Sequence, residues 1–278
     1  MTDRRLARPL VVAAALAVGL VVVAGVVPMF ADARPAREIP APTVDGNLSG
    51  PDADGWAEAP AADVPLSAAE SGLPNADSVS TETIDAQAAR SNGHLYLRLQ
   101  WRDGQRTNRT DGPREFADAV AVQMPVNTSE QPAIAMGSAS NLVNVWYWRA
   151  DEGGEEILAG GPGSTTTVAD SDLSANATYE RGNWTVVFSR PLEVDGDNRT
   201  AVTGDSDLDV AFAVWNGSNM ERSGRKAVSG WYYLPTGPGP NEAPFQTILW
   251  AIAGIAAVAV ALFTLQGVRR ARAGGAEE

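Results

Sequence analysis

His94-Leu-Tyr-Leu-Arg-Leu-Gln-Trp101 alternates apolar and polar side chains and is built from aromatic and branched residues. That period of two is the signature of a half-buried strand. Working outward, Ala117-Asp-Ala-Val-Ala-Val-Gln-Met124, Asn141-Leu-Val-Asn-Val-Trp-Tyr-Trp148, Asn183-Trp-Thr-Val-Val-Phe188 and Asp209-Val-Ala-Phe-Ala-Val-Trp215 read the same way. Gly, Pro, Asn and Asp cluster between these five segments, and no amphipathic helical run of about twelve residues intervenes. The expectation is all-β: an antiparallel β-sandwich with little helix.

Two apolar segments flank this region. Pro9 to Val27 is continuously apolar behind Arg4, Arg5 and Arg8, the charged and hydrophobic regions of a signal peptide or signal anchor. Ala31-Asp32-Ala33 offers a small-x-small cleavage site, and a twin-arginine reading of Arg4-Arg5 is weakened by Ala7-Arg8. Phe245 to Val268 carries no charge, and roughly 24 residues of helix, about 36 Å, suffice to span a bilayer. Arg269, Arg270 and Arg272 follow it, which puts the C-terminus in the cytoplasm and the intervening chain outside. The expected order is a signal or anchor at 1–33, a linker at 34–43 and a sandwich at 44–234. A Pro-rich linker at 235–244, a transmembrane helix at 245–268 and a cytoplasmic tail at 269–278 follow. The localisation expected is the cell membrane. Sequons at Asn47, Asn108, Asn127, Asn176, Asn183, Asn198 and Asn216 agree with an exported surface.

Composition excludes more than it asserts. A net charge of −13 argues against nucleic acid, whose phosphates demand a basic face. Acid in excess with almost no lysine suggests a halophile's carboxylate-hydrated surface. The chain has no cysteine, so disulfides, iron–sulfur clusters, blue copper, thiolate zinc and covalently attached haem lose their ligand. His94 is the single histidine, and at the start of a strand it reads as a surface residue.

Several ordered pieces carry a resemblance. Val44-Asp-Gly46, Trp56-Ala-Glu-Ala59, Val64-Pro-Leu66, Leu95 to Asp103, and Phe116 to Pro125 come first. Met136-Gly137, Asn144-Val-Trp-Tyr-Trp148, Val210 to Gly217, Glu221-Arg222, Lys226-Ala-Val-Ser229 and Trp231-Tyr-Tyr-Leu234 complete the series. In this order they resemble the haem-binding gamma subunit of ethylbenzene dehydrogenase, a family that includes the gamma subunits of dimethylsulfide dehydrogenase and of selenate and chlorate reductases. The resemblance implies a β-sandwich holding one non-covalent haem b through a methionine and a lysine. It implies electron relay for a molybdenum catalytic subunit and an iron–sulfur subunit, not catalysis by this chain. The methionine falls on Met136 and the lysine on Lys226.

Residue chemistry can be weighed beside the resemblance. Iron needs a lone pair, which a desolvated lysine amine supplies and a guanidinium does not. Lysine and arginine total 21, and Lys226 is the only lysine among them; the plain alternative is a mutational bias that left one by chance. Gly137 beside Met136 would let a bulky macrocycle approach the backbone. Met124 reads as core, and Met220 is the rival ligand. An axial thioether favours ferrous iron and raises the potential, and two axial ligands leave no open position for substrate. Trp146, Trp148, Trp215 and Trp231 are candidates to wall the macrocycle, with ordinary core packing as the alternative. Asp118 and Arg222 either hold loops or pair with haem propionates.

The departure from these relatives is the tether, which points to a membrane cytochrome b or the quinone pool as a further partner. A carbohydrate-binding module shares the sandwich outline and stacks sugars on exposed tryptophan, and it stands as the alternative. A carboxylate-based hydrolase is a third class, without a paired acid constellation to support it.

Overall fold

The computed structural model describes residues 37–236, apart from 129, 195, 197, 203, 205 and 206, together with residue 266. The segments expected at 1–33, 245–268 and 269–278 fall outside these residues, but for residue 266. Among the described residues no helix is long and apolar enough to cross a membrane.

In chain order the strands begin with Ala62–Pro65 (β1), Ser67–Ala68 (β2), Thr83–Ser91 (β3), His94–Arg102 (β4) and Ala119–Pro125 (β5). Val143–Arg149 (β6), Gly153–Ala159 (β7), Thr165–Thr167 (β8), Ser174–Glu180 (β9) and Asn183–Pro191 (β10) follow. Leu208–Trp215 (β11), Ala227–Val228 (β12) and Tyr232–Leu234 (β13) complete the set. They form a five-stranded sheet, β1-β3-β4-β10-β9, and a larger one, β2-β12-β11-β5-β6-β7-β8, with β13 also paired to β11. Every ladder between these strands is antiparallel. The all-β antiparallel sandwich read from the alternating segments is therefore the fold observed.

The core lies between the sheets. Strand β4 contributes Leu95, Leu97, Leu99 and Trp101, and β10 contributes Trp184, Val186 and Phe188. Facing them are Val120, Val122 and Met124 of β5, Trp146 and Trp148 of β6, and Val210, Phe212 and Val214 of β11. Each such side chain adds about 1.5–3 kcal/mol when fully buried. On the far face of the smaller sheet, Val44, Leu48 and Trp56 close over Ala89 and Val187. Gln87 fixes that cover by donating to the carbonyls of Trp56 and Ala59 at 3.0 and 2.6 Å.

Two buried charged clusters join the sheets. Arg190 of β10 is fully buried and donates to Glu156 of β7 at 2.5 Å and to Asn144 of β6 at 2.6 Å. Burial opposes the charge on Glu156, but donors from Arg199 and Ser171 and the neighbouring Arg190 outweigh it and hold the carboxyl below its usual range. The second cluster closes the end of the sandwich where β4, β5 and β11 meet. Asp118 accepts from the N–H of Gly217 at 2.8 Å, the N–H of Thr107 at 2.6 Å and the indole N–H of Trp184 at 3.0 Å. Glu221 accepts from the N–H groups of Asn216 and Ser80 at 3.0 and 2.9 Å. Glycine is required at 217, because a Cβ there would overlap the carbonyl of Phe116. Asp103 is served on one oxygen by Gln105 N–H at 3.0 Å, whereas its buried Oδ2 has no donor among the described residues. Burial pushes the Asp103 carboxyl up to about 6, against the Gln105 N–H and helped by Asp118 and Glu221.

Two outcomes follow from these clusters. Arg190→Met leaves Glu156 buried beside Arg199 alone. It should lower stability by about 3 kcal/mol, the low end for a broken buried pair, read as a shift in the denaturant midpoint. The raised Asp103 carboxyl binds its proton more tightly folded than unfolded, where a carboxyl titrates near about 3.9. Its contribution is complete below that pH and is lost as pH rises through about 6. Asp103→Asn should flatten the fall in melting temperature between about pH 4 and 7; an unchanged slope would refute the assignment.

Candidate cofactor site

The outer face of the larger sheet is apolar at its centre, although among the described residues no second sheet lies over it. Alternation sends Ala211, Ala213 and Trp215 of β11 outward, with Ala119 and Ala121 of β5 and Val143, Val145 and Tyr147 of β6. The ladder sets Ala213, Ala121 and Tyr147 side by side and Trp215 beside Ala119. Short side chains here leave a low floor between taller aromatic neighbours. Ala121, Val143, Val145 and Ala159 are nonetheless buried, because Met136, Tyr147, Ile157, Trp215 and Trp231 pack over and around them.

Met136 arrives from the loop between β5 and β6. Its backbone is left-handed, φ 66°, and so is that of Gly137, φ 70°. Gly137 N–H donates to Ala133 O at 3.0 Å and Gly161 N–H to Met136 O at 2.9 Å, which fixes the bend. A Cβ at Gly137 would stand 2.6 Å from Asn141 O, so the glycine answers both a positive φ and a close approach. A methionine held left-handed is the kind of strained residue that collects at functional sites.

Lys226 immediately precedes β12. Val214 pairs with Ala227 and Ala213 with Val228, so one step further Lys226 lies across from Trp215 and shares its outward face. Its carbonyl accepts from Ala69 N–H at 2.9 Å, at the β2 edge. The side chain reaches over the floor until Nζ stands 4.0 Å from Met136 Sδ and 4.9 Å from the centre of the Trp215 ring. Burial alone moves the amine below its usual range; no carboxylate among the described residues holds its proton.

A lysine amine that has given up its proton and a thioether are both lone-pair donors, and here the two side chains converge from segments 90 residues apart. The fit to a metal rests on the chemistry of the donor set: Met136 Sδ and Lys226 Nζ, 4.0 Å apart over the apolar floor with no carboxylate of the described residues between them, are the two side chains that would hold it.

The predicted residues divide by strand parity. Trp215 and Trp231 lie at the outer site. Trp146 and Trp148, candidates to wall a macrocycle or to pack in the core, occupy inward positions of β6 on the opposite face from Met136 and Lys226, with Trp146 against Phe188 at 6.2 Å and Trp148 against Trp184 at 4.9 Å. Tyr147 takes the outward place instead and meets Trp215 edge-on at 5.6 Å. The sequence carried a signal for this, since an inward Trp146 obliges an outward Tyr147. Met220 is exposed at the end of a short 3-10 turn, Gly217–Asn219, and it is Met136 that meets Lys226. Met124 is core. His94 begins β4, with Nδ1 3.1 Å from Asn92 O. Asp118 holds loops, and Arg222 lies over the Phe116 ring at 4.6 Å. Asn216, one of the sequons, is buried, and its side chain caps Asn219 N–H at 3.1 Å.

Comparison with known proteins covers nearly the whole chain. A protein of Haloferax mediterranei assigned as the respiratory nitrate reductase heme subunit ORF7 is 49% identical over 272 residues, 97% of this chain and 99% of that one. The chlorate reductase subunit gamma of Ideonella dechloratans is 36% identical over 68% of this chain and 80% of its own. The dimethylsulfide dehydrogenase subunit gamma of Rhodovulum sulfidophilum is 33% identical over 62% and 68% respectively. Among solved structures, a family 9 carbohydrate-binding module of Caldicellulosiruptor kristjanssonii in complex with glucose aligns at a TM-score of 0.42 and 13% identity. That alignment covers 74% of this chain and 100% of that one, and at this level it carries no argument about sugars. The ethylbenzene dehydrogenase family model matches residues 53–168 and 161–227, spanning Met136, Lys226 and the floor between them, and the chain belongs to that family.

Proposed function

We propose that this chain is a membrane-tethered electron-transfer subunit holding one haem b between Met136 and Lys226. The observation that carries the reading is the approach of Lys226 Nζ to Met136 Sδ over an apolar floor. The bound haem supplies one-electron cycling of its iron. The chain's own residues do the rest. Burial without an acidic partner makes Lys226 ready to give up its proton and offer its lone pair. The thioether of Met136 favours the ferrous state, which argues for a fairly positive potential. Alanine and valine of the sheet would keep water from the site, and with Met136 and Lys226 both given over to holding the haem, the subunit would relay electrons rather than catalyse a reaction of its own.

The partners on this reading are a molybdenum catalytic subunit and an iron–sulfur subunit of an extracytoplasmic oxidoreductase, in keeping with the reductase and dehydrogenase names of the relatives. The apolar run from Phe245 to Val268, followed by three arginines, would tether the domain at 44–234 to the outer surface of the cell membrane. Tethering raises the effective concentration of the site beside a membrane cytochrome b or the quinone pool. Sugar binding has less support, because none of the described tryptophans is exposed.

Full-length protein purified with haem supplied should show a six-coordinate, low-spin absorption spectrum. Lys226→Ala, Lys226→Arg and Met136→Ala should each lose it, the arginine variant because a guanidinium has no lone pair to offer. Haem retained with an unaltered spectrum in Lys226→Ala would sink the ligand assignment. A redox titration giving a potential too low for quinol to reduce the protein would remove the quinol-to-reductase route.

A further inference from the structure

We infer that Trp215 is the positioning residue of the lysine ligand: it carries the amine on its ring and fixes the loop that delivers it. The inference rests on the haem reading above and adds a residue to it. A lysine drawn partly out of water ordinarily meets a carboxylate. Lys226 instead lies 4.9 Å above the ring centre of Trp215, opposite which it sits on the sheet. A ring face attracts an ammonium through its quadrupole but cannot take its proton or compete strongly for its lone pair. A carboxylate in that place would pin the amine in its charged form, which is useless to a metal. Trp215 therefore steers the side chain and leaves the nitrogen free to bind.

The other edge of the same indole acts on the backbone. Trp215 Nε1 donates to Ser223 O at 3.1 Å, drawing the 216–225 loop back onto the strand three residues before Lys226. Tyr147 braces the ring from the neighbouring side, edge-on at 83° between planes. The loop's root is held separately, by Asp118 at Gly217 and by Glu221 at Asn216. Trp215 is thus the contact that connects the loop to the ligand atom, and the remaining contacts hold the loop as a whole.

Lys226 is the only lysine, so full-length protein in detergent micelles labelled with ε-13C lysine gives one assignable signal. In haem-free wild-type protein its ε-CH2 protons should be displaced upfield by the Trp215 ring. Trp215→Phe should keep that displacement and most of the haem spectrum, since it keeps a ring and loses only the N–H to Ser223. Trp215→Leu should return the signal to the position of free lysine. It should also weaken haem binding by about tenfold or more, the usual effect of losing a residue that orients a ligand, and shift the spectrum toward five-coordinate iron. A wild-type lysine signal without upfield displacement overturns the inference even if Trp215→Leu does not fold. So does a Trp215→Leu variant with an unchanged haem spectrum. Wild-type protein that binds no haem while its lysine signal is displaced would refute the haem reading and leave the ring contact standing.

Discussion

The larger sheet has two apolar faces and, among the described residues, one sheet to cover them, and the rest of the structure follows from that imbalance. Its inner face is closed by β4 and β10 in a conventional sandwich core. Its outer face, floored by Ala121, Ala213 and Val145, is closed by the loop that carries Met136 and by Trp215 and Trp231. Apolar surface left in water is unfavourable by roughly 25 cal/mol per Å², so these segments are held down by the same force that builds the core. The cover brings a thioether and an amine together. A site of this kind needs no catalytic motif; it arises where a sheet is more hydrophobic than its neighbours can hide.

The electrostatics of that face differ from those elsewhere in the molecule. Arg190 and Glu156 are buried as a pair with further donors around them, and Asp118 and Glu221 are each served by several N–H groups. Lys226 is different: half-buried, with an aromatic ring and a sulfur beside its amine and no carboxylate among the described residues. In a chain with 34 acidic residues, the absence of a carboxylate partner for this amine among the described residues is a specific arrangement rather than a shortage of acid.

The five strands read from alternation are all present; the period of two is clearest in β4, where every second residue is buried, whereas β5, β6 and β10 are buried on both faces and showed themselves by branched and aromatic content. Thr83–Ser91 went unread because it packs alanine where a strand usually shows branched residues; its pairing with β1 and β4 sets its conformation. Ser174–Glu180 carries too little large apolar surface to signal itself. At the site, Met136 and Lys226 were legible only through an ordered resemblance, since nothing in local sequence joins a β5–β6 loop to the start of β12. Trp146 and Trp148 were legible as core or as candidate walls of a cofactor; strand parity places both on the inner face, in the core.

The pairing of Met136 with Lys226 spans 90 residues and crosses from one hairpin to another. A group bonded to both would close a loop of that length, the topological equivalent of a disulfide in a chain that has no cysteine. Loop closure at this separation restricts an unfolded chain by about 4–5 kcal/mol in the chain-entropy treatment. A group bound there would then cross-link the β5–β6 loop to the β12 edge, reinforcing an approach of the two segments that the chain already makes by itself.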